Sequence, residues 1–237
     1  LAYSIKSIYD VVDEILILYS AQPSHGKGTN LICPDTEDEL KRQASLNDKD
    51  QKITWIEGVW GTEGEHRNVA FQMAKKKDCD ILVMVDFDEI WDDFILGQLI
   101  NESYIDPVYE LRIKMRHLWR SFCWACEDAM TQGRIFNLKK AYLWQTSIRY
   151  AKGFDNDYVW HFGYARSVRN IKYKTSIHGH GDEWRDDWFK KTFKKWKPGM
   201  NDVHPTCLDT WHPKEYDKNK MPEFMREHPF FNLDTIK

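Results

Sequence analysis

The sequence contains no apolar run of about 18 residues, the length that a membrane-spanning helix needs, and no signal-peptide pattern. Cysteine is scarce: the five cysteines are odd in number and lack the spacing of a disulfide framework, as expected in a reducing compartment. Internal repeats and low-complexity segments are absent too. These absences favour a soluble, cytoplasmic globular protein, and they leave a peripheral position at a membrane open.

A basic surplus is also missing. Lys and Arg together number 34, Asp and Glu 37, and the net charge is -3, whereas nucleic-acid-binding domains usually carry an excess of basic residues. We therefore expect no nucleic-acid partner. The 237 residues, 42% of them hydrophobic, suffice for one domain with a sizeable core. Tryptophan is abundant, and its eleven residues can fill that core or stack on sugar rings.

Strand and helix patterns alternate through residues 1–95. A Thr followed three residues later by Glu is a capping box, and it occurs at Thr36 and at Thr62. The run ILVMV is apolar without alternation, which is typical of a central strand in a parallel sheet. The order β-α-β-α-β predicts an open α/β sheet. The predicted strands cover 14–20, 52–58 and 80–86, and the predicted helices cover 36–46 and 62–77.

The pattern changes after residue 95. Residues 110–119 alternate apolar and basic side chains, which predicts a half-exposed strand, and 133–138 predict another. From 182 onward the chain is rich in Trp, Lys and Pro and predicts irregular helix and loop. We therefore expect one catalytic domain at 1–181, divided into halves at 1–95 and 96–181, with 182–237 as an extension packed on it. Because Leu1 opens on a helical pattern, we also expect a strand to precede it.

Two carboxylates stand where the ILVMV strand ends. Asp86 and Asp88 lie on one side of the chain, with Phe87 between them facing the other way. Ligands of open α/β sheets bind at the carboxyl ends of the strands. Two carboxylates beside a core repel each other, and a divalent cation removes that cost. The sequence therefore predicts a site for Mn²⁺ or Mg²⁺ and a substrate diphosphate, although an acidic strand end or helix cap gives the same letters.

The chain resembles the GT-A glycosyltransferases, in particular family 2-like enzymes with an Asp-x-Asp-Glu strand end. The resemblance covers nearly the full chain, but only the Asp-x-Asp and the His-Phe-Gly segments are specific. It implies a single GT-A, Rossmann-like domain with a mixed central sheet. The segments that carry it are DVVDEILIL (10–18), GEHRNVAFQMA (64–74), ILVMVDFDE (81–89), QGRIFN (132–137), VWHFGYARSVRNIKYK (159–174) and MPEFMREHPFF (221–231).

The resemblance assigns roles to several side chains. Asp88 would bind the metal directly, Asp86 would contact the metal or the nucleotide ribose, and Arg67 would lie near the nucleotide. A late histidine often supplies a further metal ligand in this fold. His161 is the first candidate for that ligand, and the pair in HGH, His178 and His180, is the alternative. Many members carry an Asp after the second strand that contacts the nucleobase of the donor. This chain has Tyr-Ser-Ala at 19–21, so the resemblance does not identify the nucleobase.

Basic and acidic residues elsewhere complete the predicted site. A basic stretch that includes Arg166 and Lys172 could stabilise the leaving diphosphate, or it could be a solvated strand face. Inverting transfer needs a general base for the acceptor hydroxyl. Glu127 and Asp128, which sit between two predicted strands, are the first candidates, and Asp157 is the second.

The predicted function is metal-dependent transfer of a sugar from a nucleotide-diphospho-sugar, UDP-linked by expectation, to a hydroxyl of a glycan or another acceptor. A nucleotidyltransferase is one alternative, and a non-catalytic carbohydrate- or partner-binding module on the same scaffold is another. The Cys-x-x-Cys at 123–126 could serve redox or zinc chemistry, but no second pair of ligands is visible.

Overall fold

A computed structural model describes residues 1–23, 30–105, 110–140, 151–154, 159–177 and 183–236, with the backbone alone at 129 and 151–154. The chain is α/β. The helices are α1 (Ala2–Ile8), α2 (Glu37–Ser45), α3 (Glu63–Lys76), α4 (Asp93–Ile105) and α5 (Val168–Ile177). The strands are β1 (Ile15–Tyr19), β2 (Ile53–Glu57), β3 (Ile81–Val83), β4 (Glu89–Trp91), β5 (Glu110–Trp119), β6 (Trp124–Asn137), β7 (Ala151–Phe154), β8 (Val159–Tyr164) and β9 (Lys214–Glu215). Within the described ranges, no helix combines the length and apolarity needed to cross a membrane.

The strands form two sheets, of which the larger is mixed. β1 and β2 pair in parallel as a two-stranded sheet. The other seven follow the order β3-β6-β5-β8-β4, with β7 also on β5 and β9 also on β6. β5 pairs in parallel with β7 and β8, whereas the pairs β3–β6, β5–β6 and β4–β8 are antiparallel. The predicted mixed α/β architecture is confirmed, and the GT-A assignment within that class stays a prediction.

Both predicted helix starts are confirmed. The hydroxyl of Thr36 accepts a hydrogen bond from the amide of Glu39 at 3.3 Å, and α2 begins at the next residue. The hydroxyl of Thr62 accepts from the amide of Glu65 at 3.1 Å, and α3 begins in the same way. Each cap satisfies one of the amide donors that the first turn of a helix leaves unpaired.

The prediction of a central parallel strand at 80–86 is wrong. β3 covers only Ile81–Val83, and its neighbour in the sheet, β6, is antiparallel. The run is apolar throughout because both of its faces are covered. Ile81 and Val83 pack on the core around α1 and α4, whereas Leu82 packs with Phe71 on the opposite side. A strand buried on both faces has an unbroken apolar sequence whether its neighbours are parallel or antiparallel, so the pattern does not reveal the strand direction.

The described residues after 182 pack their aromatic and apolar side chains on the sheet. Trp188, Phe193 and Trp211 are buried with Trp119 of β5. A second group, which includes Met225 and Phe231, is buried with Leu118 and Phe122. The segment has a π-helical turn at Phe189–Phe193 and 3-10 turns at Lys218–Lys220 and Glu223–Glu227, so the predicted irregular structure is confirmed. Tryptophan serves largely as core, because Trp91, Trp119, Trp160, Trp188 and Trp211 are all buried.

Candidate active site

The three carboxylates at the end of β3 enter different surroundings. The chain turns at residues 87–88 and continues directly as β4, with the amide of Glu89 donating to the carbonyl of Asp86 at 2.9 Å. The Asp86 side chain is 36% exposed, Asp88 is 8% exposed and Glu89 is fully buried. The turn therefore separates a carboxylate at the surface, one at the base of the site and one in the core.

Asp86 lies between two arginines from different elements. Arg134 of β6 donates to it at 2.8 Å, because β6 is the strand next to β3. Arg67 of α3 donates to it at 3.2 Å and is itself held by Glu63 one helical turn earlier. Partial burial would raise the pKa of Asp86, but the charges of Arg134 and Arg67 hold that pKa below its usual range. Asp86 is therefore an anion at neutral pH.

Asp88 faces a histidine and a lysine. Its carbonyl accepts from the amide of Phe162 at 2.7 Å, since β4 and β8 pair there. Its carboxylate lies 3.5 Å from Nε2 of His161 on one oxygen and 3.4 Å from Nζ of Lys174 on the other. Burial would raise the pKa of Asp88, but the charges of Lys174, His161 and Arg166 hold it well below its usual range.

His161 continues inward to a second histidine and a second aspartate. His161 of β8 and His117 of β5 are register partners in adjacent parallel strands, so their side chains leave the sheet on the same face. Their Nδ1 atoms are 2.8 Å apart, and Nε2 of His117 is 3.6 Å from Oδ2 of Asp128. The indole of Trp211 donates to that same oxygen at 3.2 Å. Burial, with the charge of His161, holds the pKa of His117 well below its usual range.

Several predicted site residues do come together at this turn. Arg67 contacts Asp86, and His161 contacts Asp88. Arg166 lies over the ring of Phe87, with its guanidinium carbon 4.9 Å from the ring centroid, and also contacts Asp35. The basic stretch around it forms helix α5, and not the strand face offered as one reading.

Other predicted residues lie elsewhere. On α5 the lysine that reaches Asp88 is Lys174, whereas Lys172 is exposed. Glu127 and Asp128 belong to β6, so their predicted position between two strands is wrong; the long strand continues through both. Glu127 is exposed, 3.8 Å from Arg116. Three further candidates fall outside the described residues: Asp157, His178 and His180.

Arg134 and His117 are functional candidates that the sequence did not single out. Arg134 stands in the QGRIFN segment that carries part of the family resemblance, but nothing in its letters pointed to Asp86. His117 was one polar residue in an alternating strand, and its partner lies 44 positions away. Only the sheet order, which places β5 between β6 and β8, brings these groups into one site.

Two donor atoms at this site fit a divalent cation. Ligands at about 2.1–2.2 Å from one ion lie about 3.0–3.6 Å from each other, and the 3.5 Å between Asp88 Oδ1 and His161 Nε2 falls in that range. No group of three His, Cys, Asp or Glu side chains in the described part of the chain could hold a metal. Mn²⁺ or Mg²⁺ bound here would therefore complete its shell with substrate phosphate oxygens and water.

The repulsion between Asp86 and Asp88 does not by itself require a metal. The sequence predicts a divalent cation as the group that neutralises them, but Arg67, Arg134 and Lys174 lie within 3.4 Å of these carboxylates and offset much of their charge. The same cations, with Arg166, surround the acidic centre, and each arginine also contacts a further carboxylate: Glu63, Glu89 or Asp35. That combination suits a diphosphate whose remaining charge meets a metal.

The cysteine pair and the described cavity lie apart from this centre. Cys126 is fully buried, and burial raises the pKa of its thiol to about 12, so it is no thiolate at neutral pH. A cavity of about 480 Å³ is lined by Cys123, Trp124, Trp196, Lys197, Pro198, Glu215, Tyr216, Asp234 and Thr235, none of which belongs to the aspartate–histidine site.

No protein-family model matches this chain, and no curated protein sequence matches it. The interpretation of the site thus depends on its own chemistry. That chemistry is an anionic aspartate beside an imidazole, inside a group of guanidinium and ammonium cations, at a turn between two strands of a mixed sheet.

Proposed function

We propose that the chain is a glycosyltransferase that moves a sugar from a nucleotide-diphospho-sugar, UDP-linked, to an acceptor hydroxyl with the help of Mn²⁺ or Mg²⁺. The observation that carries the proposal is the pairing of Asp88 with His161 at metal-ligand spacing, with Lys174 on the other carboxylate oxygen. The two segments specific to the family resemblance contain this pair: Asp88 stands in Asp-x-Asp and His161 in His-Phe-Gly.

The residues around the pair would serve the leaving group. Asp88 and His161 would hold a divalent cation, which would supply positive charge at the diphosphate. Lys174 would then be free to turn to a phosphate oxygen, and Arg166 lies over the ring of Phe87 in the turn. Positive groups placed where negative charge develops lower the barrier to departure of the nucleoside diphosphate. Arg134 and Arg67 hold Asp86 in place at the edge of the site.

The acceptor hydroxyl is activated by a carboxylate if the sugar is transferred with inversion. Glu127 is exposed and can meet a substrate from solvent. Asp128 is engaged by His117 and Trp211, which leaves it less free to take a proton from an acceptor. Asp157 is the third candidate. Replacing each by its amide and comparing rates of transfer with rates of donor hydrolysis would identify the base.

Calorimetry of UDP and UDP-sugars, with Mn²⁺ and after EDTA, tests the proposed function. We expect nucleotide affinity to fall at least tenfold after EDTA, because the proposed metal would link Asp88 and His161 to the diphosphate. Equal affinity in both conditions would overturn the metal role. Incubation with acceptors then separates the alternatives: release of UDP with a glycosylated product supports transfer, release of pyrophosphate indicates a nucleotidyltransferase, and binding without turnover indicates a binding module.

A further inference from the structure

The chain of groups behind the proposed metal ligand is continuous. It runs from Asp88 to His161 at 3.5 Å, from His161 to His117 at 2.8 Å and from His117 to Asp128 at 3.6 Å. The two rings are nearly perpendicular, with an interplanar angle of 88°. All four side chains are mostly buried, at 8%, 17%, 11% and 17% exposed from Asp88 to Asp128. Water cannot readily replace a member of this chain.

The contact between the two histidines holds one proton. A hydrogen bond between two ring nitrogens needs a donor on one side and a lone pair on the other. If Nδ1 of His161 donates, Nε2 is the ring nitrogen that faces Asp88, and a cation bound between them would take the Nε2 lone pair. Nδ1 of His117 then accepts, and Nε2 of His117 carries the N–H that points to Asp128. In the opposite sense, Nε2 of His161 is protonated and cannot bind a metal.

We infer that His117, anchored by Asp128, is a positioning residue that accepts the Nδ1 proton of His161 and thereby presents the bare Nε2 of His161 to the metal. This inference rests on the proposed function, because a cation on Nε2 is compatible with only one of the two proton arrangements. A metal-bound histidine almost always donates its other ring N–H to an outer partner, and changing that partner typically costs 10–100-fold in metal affinity.

Asp128 is the fixed end of this arrangement. Its Oδ1 accepts from the amide of Met130 at 2.8 Å, and its Oδ2 accepts from the indole of Trp211 at 3.2 Å. Both contacts use the carboxylate as an acceptor, so at 3.6 Å it faces Nε2 of His117 as a negative charge and not as a donor. The ring of His117 also packs on Trp211, with centroids 4.6 Å apart, so its orientation is held from two directions.

The test is metal binding by calorimetry in the wild type and four variants, with Mn²⁺ alone and with Mn²⁺ plus UDP. His117→Leu removes the acceptor, and we expect Mn²⁺ affinity to fall about 10–100-fold. His117→Asn offers an amide oxygen near the position of Nδ1, so we expect it to keep most of the affinity. Asp128→Asn should weaken Mn²⁺ binding in the same direction as His117→Leu. His204→Asn is the control, because His204 also packs on Trp211 but lies outside the chain of groups.

A second readout observes the proton directly. Nitrogen-15 NMR of labelled histidine in the wild type, with diamagnetic Zn²⁺ or Mg²⁺, should show His161 protonated at Nδ1. In His117→Asn, which keeps an acceptor, the same pattern should persist, so the test stands even where His117→Leu fails to fold. A wild type that binds no Mn²⁺ would overturn the inference together with the metal role. A wild type that binds Mn²⁺ while His117→Leu and Asp128→Asn bind it equally well would overturn the inference alone.

Discussion

The guanidinium of Arg134 lies 2.6 Å from the carboxylate of Glu89, and both side chains are buried. The pair joins β6 to the start of β4, directly beneath the turn that carries Asp86 and Asp88. Burial raises the pKa of Glu89 in spite of the opposing charge of Arg134. Removing two charges from water is costly, so such a pair adds little net stability, but leaving one partner alone is much worse.

Arg134→Met should therefore destabilise the fold strongly. The variant leaves Glu89 buried without a cation and frees Asp86 from its closer arginine, and we expect a loss of about 3–5 kcal/mol in the free energy of unfolding. Urea denaturation followed by circular dichroism measures it. The double variant Arg134→Met with Glu89→Gln is the matched control, because it removes both charges and should recover a large part of the loss. A single variant within about 1 kcal/mol of the wild type would contradict the structural role.

Asp88→Asn should separate function from stability. It removes a negatively charged ligand, so we expect UDP binding with Mn²⁺ to weaken and transfer to fall by about a hundredfold or more. Lys174, which loses its partner, is 26% exposed and can turn to solvent, so we expect the variant to stay folded while it loses function. Asp93→Asn, at an exposed carboxylate on the same segment, should transfer sugar like the wild type. Wild-type turnover in Asp88→Asn would show that Asp88 has no role in the reaction.

Gly163→Ala should disturb the same centre from the opposite side. A Cβ on Gly163 would lie 2.5 Å from Cε1 and 2.9 Å from Nε2 of His161, closer than such contacts occur. Because the contact with His117 holds the ring, the strain should displace Nε2 and weaken Mn²⁺ binding about tenfold or more. Gly97→Ala in α4 is the control, since its Cβ meets only Val11 at 3.9 Å and a helical Gly→Ala change is tolerated. Unchanged Mn²⁺ affinity in Gly163→Ala would show that the ring can move without loss.

Local signals in the sequence predicted local structure well. The capping boxes at Thr36 and Thr62 gave helix starts that the structure confirms, because a cap depends on residues three apart. The alternating stretch gave β5 at Glu110–Trp119, since alternation reports one covered face. Strand partners depend on the whole chain, which is why the orientation of the neighbour of β3 was predicted wrongly and residues 124–132 of β6 were left outside the predicted strand at 133–138.

The residues of the candidate site also fall into those with a local sequence signal and those that depend on strand pairing. Asp88 and His161 were predicted as partners because each stands in a specific segment, and the structure brings them within 3.5 Å. Arg134 and His117 carry no such signal in their own letters. Each becomes part of the site through a neighbour across the sheet, 48 residues away for Arg134 and Asp86 and 44 residues away for His117 and His161.

The last prediction concerns His228 and acid. Its ring packs on Tyr3 and Phe122, with centroids 4.6 Å and 5.0 Å away, and Nδ1 accepts from the amide of Phe230 at 3.1 Å. Burial chiefly lowers the pKa of His228 to about 4, against about 6.5 in an unfolded chain. Between those values the unfolded chain takes up a proton that the folded protein refuses. The stability due to a neutral His228 is therefore complete above about pH 6.5 and is lost as the pH falls from there toward 4.

One histidine of this kind lowers the free energy of unfolding by at most about 1.4 kcal/mol per pH unit, and the partial exposure of His228 reduces that figure. His228→Asn keeps an acceptor for the amide of Phe230 but does not titrate. Urea denaturation at pH 7, 6 and 5 should then show a wild type that loses stability faster than the variant, so that the difference between them shrinks or reverses toward pH 5. The other buried histidines contribute to both proteins and cancel in the comparison. A stability difference between wild type and variant that is the same at all three pH values would show that His228 does not contribute to the loss of stability in acid.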